Sequence, residues 1–248
     1  MNSEYNPFSL NGKTIMITGA SSGIGRSIAV ACARMGGTVV LNGRDENKLS
    51  STYNELPKGM HIVCACDLKD SSSVDRMVND LPLLDGIVHC AGVGHRKVCK
   101  LITEEDISEV MDTNFKSTVL LQSKLLLQKK LKKSSSVVFI ASRAASSPSV
   151  GNAVYSASKG ALISYAKCLM LELAPRKIRV NCICPAMVWT DLILKGGIMK
   201  EELEMAQKQY PLKRFGRPED VANLAIYMLS DASSWMTGSC VDLTGGGE

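Results

Sequence analysis

The sequence predicts an α/β fold with a parallel, doubly wound sheet, and three observations carry that prediction. Short apolar runs of strand length alternate with longer stretches of helical periodicity along the whole chain. The first apolar run, 14–18, opens directly into a glycine-rich turn, Gly19-Ala20-Ser21-Ser22-Gly23-Ile24-Gly25, and a helical pattern follows. The chain of 248 residues has no linker, which suits one α/β domain of roughly 250 residues.

The elements follow in order. After the turn, Ile24, Ile28, Ala31, Cys32 and Met35 recur at helical spacing, and Gly36-Gly37 stops the helix. Further strands are expected at 38–41, 61–66, 86–90, 137–141, 179–183 and 240–243, which with 14–18 makes a seven-stranded parallel sheet flanked by helices. Asp45 is placed to cap one helix, Thr103 with Asp106 reads as a capping box, and Pro218 suits the first position of another helix. The whole chain, 1–248, reads as a single Rossmann-type domain.

Composition narrows the function. Hydrophobic residues make up 45% and charged residues 21%, enough apolar material for a sizeable core. The net charge of +5 is modest and dispersed, so nothing points to nucleic acid, while an anionic ligand fits. Nine cysteines in a chain this long indicate a reducing compartment, so a cytoplasmic protein is expected. Cys64/Cys66 and Cys182/Cys184 lie in apolar runs where alternate residues share a strand face, and His61, His89 and His95 show no ligand spacing with them. No metal site is expected. The amino terminus lacks a basic segment followed by an apolar core, and no run of about 18 apolar residues occurs, so neither a leader nor a membrane span is expected.

The glycine turn lets backbone approach a ligand closely, and the following helix offers free N–H groups and a positive dipole end, a setting for a pyrophosphate. The stretch 142–159 carries the second chemical signal. Tyr155 and Lys159 are four apart, one turn from each other on a helix face. An ammonium beside a phenol favours the phenolate, which suits a general acid or base, although such a pair is also an ordinary feature of helices. Ser142 ends the apolar run 137–141, where its hydroxyl can meet Tyr155.

These motifs, in this order and spacing, resemble the short-chain dehydrogenase/reductase family over residues 10–247. Thr18-Gly-x-x-x-Gly-Ile-Gly25 is similar to its cofactor turn, and Ser142 with Tyr155-x-x-x-Lys159 to its catalytic set; Asp67 and Asn114 match its adenine-side aspartate and fourth catalytic residue. The resemblance implies hydride exchange between a nicotinamide cofactor and a carbonyl or alcohol. It implies cofactor contacts from Gly19, Ser21, Ser22, Gly23, Ile24, Gly25, Asp67, Leu68, Ala91, Gly92, Tyr155, Lys159, Pro185, Val188 and Thr190. Asn114 would link Lys159 to solvent through a backbone group and a water; taken without the other three residues it reads rather as a capping or kink residue within a helix.

The strand at 38–41 runs on to Asn42-Gly43-Arg44, with no carboxylate at its tip to hold a ribose hydroxyl; Arg44 is placed to pair with a 2′-phosphate, so NADP(H) is the expected cofactor. Three departures from the family pattern stand out: His89-Cys90 replaces an Asn-Asn pair that helps fix the central sheet, Pro185-Ala186 replaces Pro-Gly, and Leu243-Thr244 replaces Val-Asp near a surface that members use for tetramer packing. The segment 187–210, with Trp189, Leu192, Ile193, Leu194, Ile198, Met199, Leu203 and Met205, resembles a substrate lid with a hinge at Gly196-Gly197, or else packs on the core.

The pattern is closest to the 3-oxoacyl-acyl-carrier-protein reductases. The expected partners are therefore an acyl-carrier-bound or small-molecule ketone and further copies of the chain in a homotetramer. A dehydrogenase of a sugar or steroid alcohol is the alternative enzyme, and a cofactor-binding scaffold with little turnover the alternative outside enzymes. A basic cluster, Lys129, Lys130, Lys132 and Lys133 with Arg176 and Lys177, is a candidate docking patch for an acidic carrier; His95, Arg96, Lys97 and Lys100 form a second cluster on the expected catalytic rim.

Overall fold

The structure, a computed structural model, describes residues 5–194 and 199–247. Its seven strands are β1 (Thr14–Thr18), β2 (Thr38–Gly43), β3 (Ile62–Ala65), β4 (Leu84–His89), β5 (Leu131–Ile140), β6 (Arg179–Pro185) and β7 (Cys240–Leu243). The helices are α1 (Gly23–Arg34), α2 (Glu46–Tyr53), α3 (Ser71–Asp80), α4 (Glu104–Met111), α5 (Ser117–Leu127), α6 (Ala153–Leu173), α7 (Asp191–Leu194), α8 (Lys200–Gln207) and α9 (Pro218–Leu229). The strands form one parallel sheet in the order β3-β2-β1-β4-β5-β6-β7, so the winding reverses between β1 and β4.

Alternation along each strand divides the core into two layers. Met16, Val40, Ile87, Val137 and Phe139 face α3, α5 and α6, where Val78, Leu121, Leu125 and Leu162 meet them. Ile15, Ile17, Val39, Leu41, Val88 and Val138 face the other way, onto Ile28 and Cys32 of α1 and Val221, Ala225 and Met228 of α9. The capping expectations hold: Asp45 accepts from the Lys48 backbone N–H at 3.1 Å, Thr103 and Asp106 form a capping box, and Pro218 opens α9.

Two expectations are corrected. Strand β5 begins at Leu131 rather than 137, because Leu131 pairs with Leu84 before the ladder slips. The next pair is Gly86 with Ser136, and the intervening residues bulge out through Ser134 at φ 63°. The basic cluster around 129–133 consequently lies at the amino-terminal end of β5, the opposite end of the sheet from the glycine turn. Much of it is engaged locally: Lys130 donates to the carbonyls of Asn79 and Leu81, Lys132 pairs with Asp85 at 2.8 Å, and Arg176 donates to the Leu131 carbonyl. These cations close helix and strand ends instead of forming a free patch on the catalytic rim.

Candidate active site

Where the winding reverses, the carboxyl ends of β1 and β4 part and leave a crevice. Thr18, the last residue of β1, spans it: its Oγ1 accepts from the backbone N–H groups of Cys90 and Ala91 at 3.0 and 3.1 Å. Gly19 then turns at φ 67°, and a Cβ there would come within 2.9 Å of Ala91 Cα. A Cβ on Gly25 would lie 2.2 Å from the Gly19 carbonyl oxygen. Only glycine permits this turn.

At the start of α1 the N-cap Ser22 makes no side-chain capping bond, and no acidic residue stands in the first turn. The first N–H groups and the dipole's positive end are left for an anion, so the cradle fits a dinucleotide pyrophosphate. Thr190 sits against the same turn, its Cγ2 3.3 Å from where a Gly23 Cβ would be.

The residues expected on the adenine side lie at the tips of β2 and β3. The Cys66 N–H donates to the Gly43 carbonyl at 2.9 Å, and Ser21 lies against Gly43. Arg44 follows Gly43, exposed and without an ion-pair partner among the described residues, whereas Asp45 is committed to its cap. Asp67 accepts from the Lys69 N–H at 3.0 Å, which fixes its carboxylate at the end of β3, and Leu68 packs on the core.

The expected catalytic residues come from β5, α6 and the helix break before α5. Ser142 lies two residues past the end of β5 and caps a short turn, its Oγ accepting from Ala144 N–H at 3.1 Å. That turn is tied to α6 by Ser156, whose hydroxyl donates to the Ala144 carbonyl at 2.6 Å. Tyr155 and Lys159 are one turn apart on α6, with the Lys159 ammonium 5.8 Å from the centre of the Tyr155 ring. Lys159 is buried, and its Nζ donates to the Ile140 carbonyl at 2.8 Å.

Gly92 brings β4 to the same place: a Cβ on it would stand 3.1 Å from Asn114 Oδ1 and 3.5 Å from Lys159 Nζ. Asn114 lies in a π-turn, Asp112–Lys116, between α4 and α5 and is fully buried. Its Oδ1 accepts from Val93 N–H at 2.7 Å, while its Nδ2 donates to the Val93 carbonyl at 3.0 Å and to Ser158 Oγ at 3.1 Å. Its own carbonyl accepts from Thr118 Oγ1 at 3.2 Å. Asn114 sits at the helix break, as the kink reading expects, and its side chain anchors the chain after β4 to α6 beside Lys159.

The segment expected as a lid is divided. Leu203 is buried, and Trp189 bonds Gln207 at 3.1 Å and leans on Phe215, which are core roles. Leu192 reaches the rim, 3.3 Å from where a Gly94 Cβ would stand, and Leu194, Met199 and Met205 are exposed. The expected hinge at Gly196-Gly197, and Ile198, lie outside the described residues. On the rim, Asp106 binds both His95 and Lys97, at 3.1 and 2.6 Å. The Lys97 ammonium and the Thr103 backbone hold the Asp106 carboxyl well below the usual carboxylate range.

The altered His89-Cys90 pair finds new partners. His89 is buried, stacks on Phe139 with ring centres 4.8 Å apart, and places Nε2 2.9 Å from Gln122 Oε1. Burial pushes its imidazole down to about 4, so it is neutral. The Cys90 thiol is pushed up to about 12 by burial. Thr18, Gln122, Ser158 and Asp106 support the site in ways that the sequence does not announce, Asp106 beyond its cap and Thr18 beyond its place in the turn. Thr18 was visible as the residue opening the turn; Gln122 and Ser158 carry no motif, and only the fold brings them in.

A pyrophosphate cradle at the switch point of a parallel sheet, faced by a buried lysine and a tyrosine, defines a dinucleotide-dependent oxidoreductase. Residues 19–247 match the family described as Enoyl-(Acyl carrier protein) reductase. The chain is 33% identical over 237 residues to the 3-oxoacyl-[acyl-carrier-protein] reductase FabG of Rickettsia felis, covering 96% of this chain and 97% of that one.

Among solved structures it resembles the 3-ketoacyl-(acyl-carrier-protein) reductase of Brucella melitensis complexed with NADH (TM-score 0.87, 29% identity, 96% and 99% of the two chains). It also resembles a putative NAD(P)-dependent gluconate 5-dehydrogenase of Beutenbergia cavernae with bound NADP (TM-score 0.87, 28% identity, 97% and 98%). The chain belongs to the short-chain dehydrogenase/reductase family and is an oxidoreductase that uses a nicotinamide cofactor.

Proposed function

We propose that this protein is an NADP-dependent reductase of a 3-oxoacyl group carried on acyl carrier protein, or of a similar apolar ketone, with Asn114, Ser142, Tyr155 and Lys159 as its catalytic tetrad. The observation that carries the proposal is the convergence at the carboxyl end of β5: Lys159 beside the Tyr155 ring on α6, and the turn that Ser142 caps tied to α6 by the Ser156–Ala144 bond. The similarity to named 3-oxoacyl-[acyl-carrier-protein] reductases supports the substrate class.

The Gly19–Gly25 cradle, with Ala91, Gly92, Pro185, Val188 and Thr190, would hold the nicotinamide cofactor, which when bound would supply the hydride for the carbonyl carbon. Tyr155 donates its phenolic proton to the carbonyl oxygen. Ser142 hydrogen-bonds that same oxygen as negative charge develops on it. The positive charge of Lys159 stabilises the tyrosinate left behind. Asn114 keeps the strand end at Gly92-Val93 fixed against α6, so that Lys159 keeps its position through the cycle.

Arg44 supports NADP over NAD, since it stands free at the tip of β2 where a 2′-phosphate would lie. Asp67 and Leu68 would border the adenine. Apolar side chains left exposed on α5 and α6, Leu120, Leu127 and Leu171, support a self-associating form, for which we propose a cytoplasmic homotetramer. The likeness to a gluconate 5-dehydrogenase favours a second reading, oxidation of a small secondary alcohol such as a sugar acid.

The test is consumption of NADPH and of NADH across 3-oxoacyl thioesters, cyclic ketones and keto-sugar acids. The proposal expects NADPH with a 3-oxoacyl thioester to give the highest kcat/KM. A keto-sugar acid as the best substrate would move the assignment to the second reading, and no turnover with any class would leave a binding scaffold.

A further inference from the structure

The Ser142 Oγ accepts the backbone N–H of Ala144 at 3.1 Å. A hydroxyl that accepts on one lone pair keeps its own proton to donate, so this bond helps to aim the Ser142 O–H. The N–H belongs to the peptide unit between Arg143 and Ala144, which is planar, so the aim depends on how firmly that unit is held. At its other end the Arg143 carbonyl accepts from the N–H groups of Ser146 and Ser147 at 3.0 and 2.9 Å.

The Arg143 side chain closes the turn from outside. Its Nη1 donates to Ser146 Oγ and to Asp242 Oδ2, both at 2.9 Å. Asp242 lies in β7, in register with Cys184 of β6, so the guanidinium reaches from the end of β5 across β6 to the edge strand. On the other side Ser156 ties the Ala144 carbonyl to α6 at 2.6 Å. The turn is clamped between α6 and β7, and the β7 clamp is the one joined to the residue whose peptide meets Ser142. With side chains 28% and 48% exposed, the Arg143–Asp242 pair contributes little to global stability, so its effect is local to the turn.

We infer that Arg143, through Asp242 and Ser146, is a positioning residue for the carbonyl reduction: it holds the turn in which the Ser142 hydroxyl is aimed at the substrate oxygen. The inference rests on the role proposed above for Ser142. Without the tie the Arg143–Ala144 peptide is free to rotate and Ser142 Oγ loses its fixed donor. The hydroxyl then divides its time among rotamers, of which one serves the reaction. The glycine cradle takes no part in this tie, so the loss falls on kcat and not on cofactor binding.

The experiment is a mutant cycle read by steady-state kinetics with NADPH and a 3-oxoacyl thioester, with NADPH binding and urea unfolding measured on each preparation. Ser142→Ala removes the donor itself and should lower kcat roughly 10²–10³-fold. Arg143→Ala should lower kcat about tenfold, with NADPH affinity unchanged and the urea midpoint close to wild type. Asp242→Ala, outside the active-site turn, should give the same loss and keeps the test intact should Arg143→Ala unfold; the two together should lose no more than either alone. Placed on Ser142→Ala, either change should alter kcat by less than about twofold, because the group being positioned is gone. Wild-type kcat in Arg143→Ala or in Asp242→Ala, additive losses for the pair, or a loss that persists undiminished on Ser142→Ala overturns the inference and leaves the proposed reduction standing. Wild-type kcat in Ser142→Ala would instead remove Ser142 from the reaction, and the inference with it.

Discussion

Acidification should destabilise this protein through one residue, His89, before any carboxylate contributes. The folded imidazole titrates near 4 because burial disfavours its charged form. In the unfolded chain a histidine titrates near 6.5. Between those values the unfolded state binds more protons, so stability is complete above about 6.5 and falls as pH drops toward 4. The loss contributed by His89 is roughly 2 kcal/mol by pH 5 and levels at roughly 3 kcal/mol below pH 4.

The carboxylates that the fold depresses, Asp106, Asp220, Asp70 and Glu105, lose their contribution at lower pH, below about 4.5, so the range from about 6.5 to 5 isolates the histidine. Urea unfolding followed by circular dichroism, at fixed protein concentration from pH 7.5 to 4.5, measures it. His89→Asn keeps a side chain able to bond Gln122 but removes the titration, so the stability difference between the two proteins should shift by about 2 kcal/mol in favour of the variant between pH 7 and 5. A difference independent of pH would refute a neutral, buried imidazole at this position.

Two further outcomes follow from the site. Arg44→Ala should weaken NADPH binding roughly 10- to 100-fold, the worth of a charge-assisted contact of about 1.5–3 kcal/mol, and leave NADH nearly unchanged; titration calorimetry with both cofactors decides it, and equal losses would remove Arg44 from the phosphate. If an acidic carrier delivers the substrate, Lys100→Glu on the catalytic rim should raise KM for the carrier-bound substrate, most at low salt, and spare a free ketone ester. The same reversal at Lys129 and Lys133 should do little, because both lie at the amino-terminal end of β5; the opposite ranking in steady-state kinetics would return docking to that end.

The parts of this fold legible in the sequence are those set by local chemistry. Strand β1 and the glycine turn are legible because the positive φ of Gly19 and the limit that its carbonyl sets on Gly25 act within seven residues, and the caps at Asp45, Thr103 and Pro218 are equally local. The beginning of β5 was not legible: a lone pairing of Leu131 with Leu84, followed by a bulge, leaves no periodic trace. Nor was the compensation for His89, since its partner Gln122 is 33 residues away and reaches it only through packing of α5 on the sheet. Tyr155 and Lys159 were visible as a helical pair, whereas the double anchoring of Val93 by Asn114 depends on a π-turn that no spacing announces. The basic cluster at 129–133 is visible in sequence as charge, whereas the end of the sheet it occupies follows only from the fold.

The central claim is that Tyr155 is the proton donor in a nicotinamide-dependent carbonyl reduction, and Tyr155→Phe tests it most directly. Phenylalanine keeps the ring beside Lys159 and removes only the hydroxyl, so the cradle at Gly19–Gly25 is untouched. The measurement is single-substrate kinetics with NADPH and a 3-oxoacyl thioester, paired with NADPH binding to the same preparation. The account predicts unchanged binding and a kcat lower by at least roughly 10²–10⁴-fold, the contribution of a general acid. Wild-type turnover in the variant would contradict it.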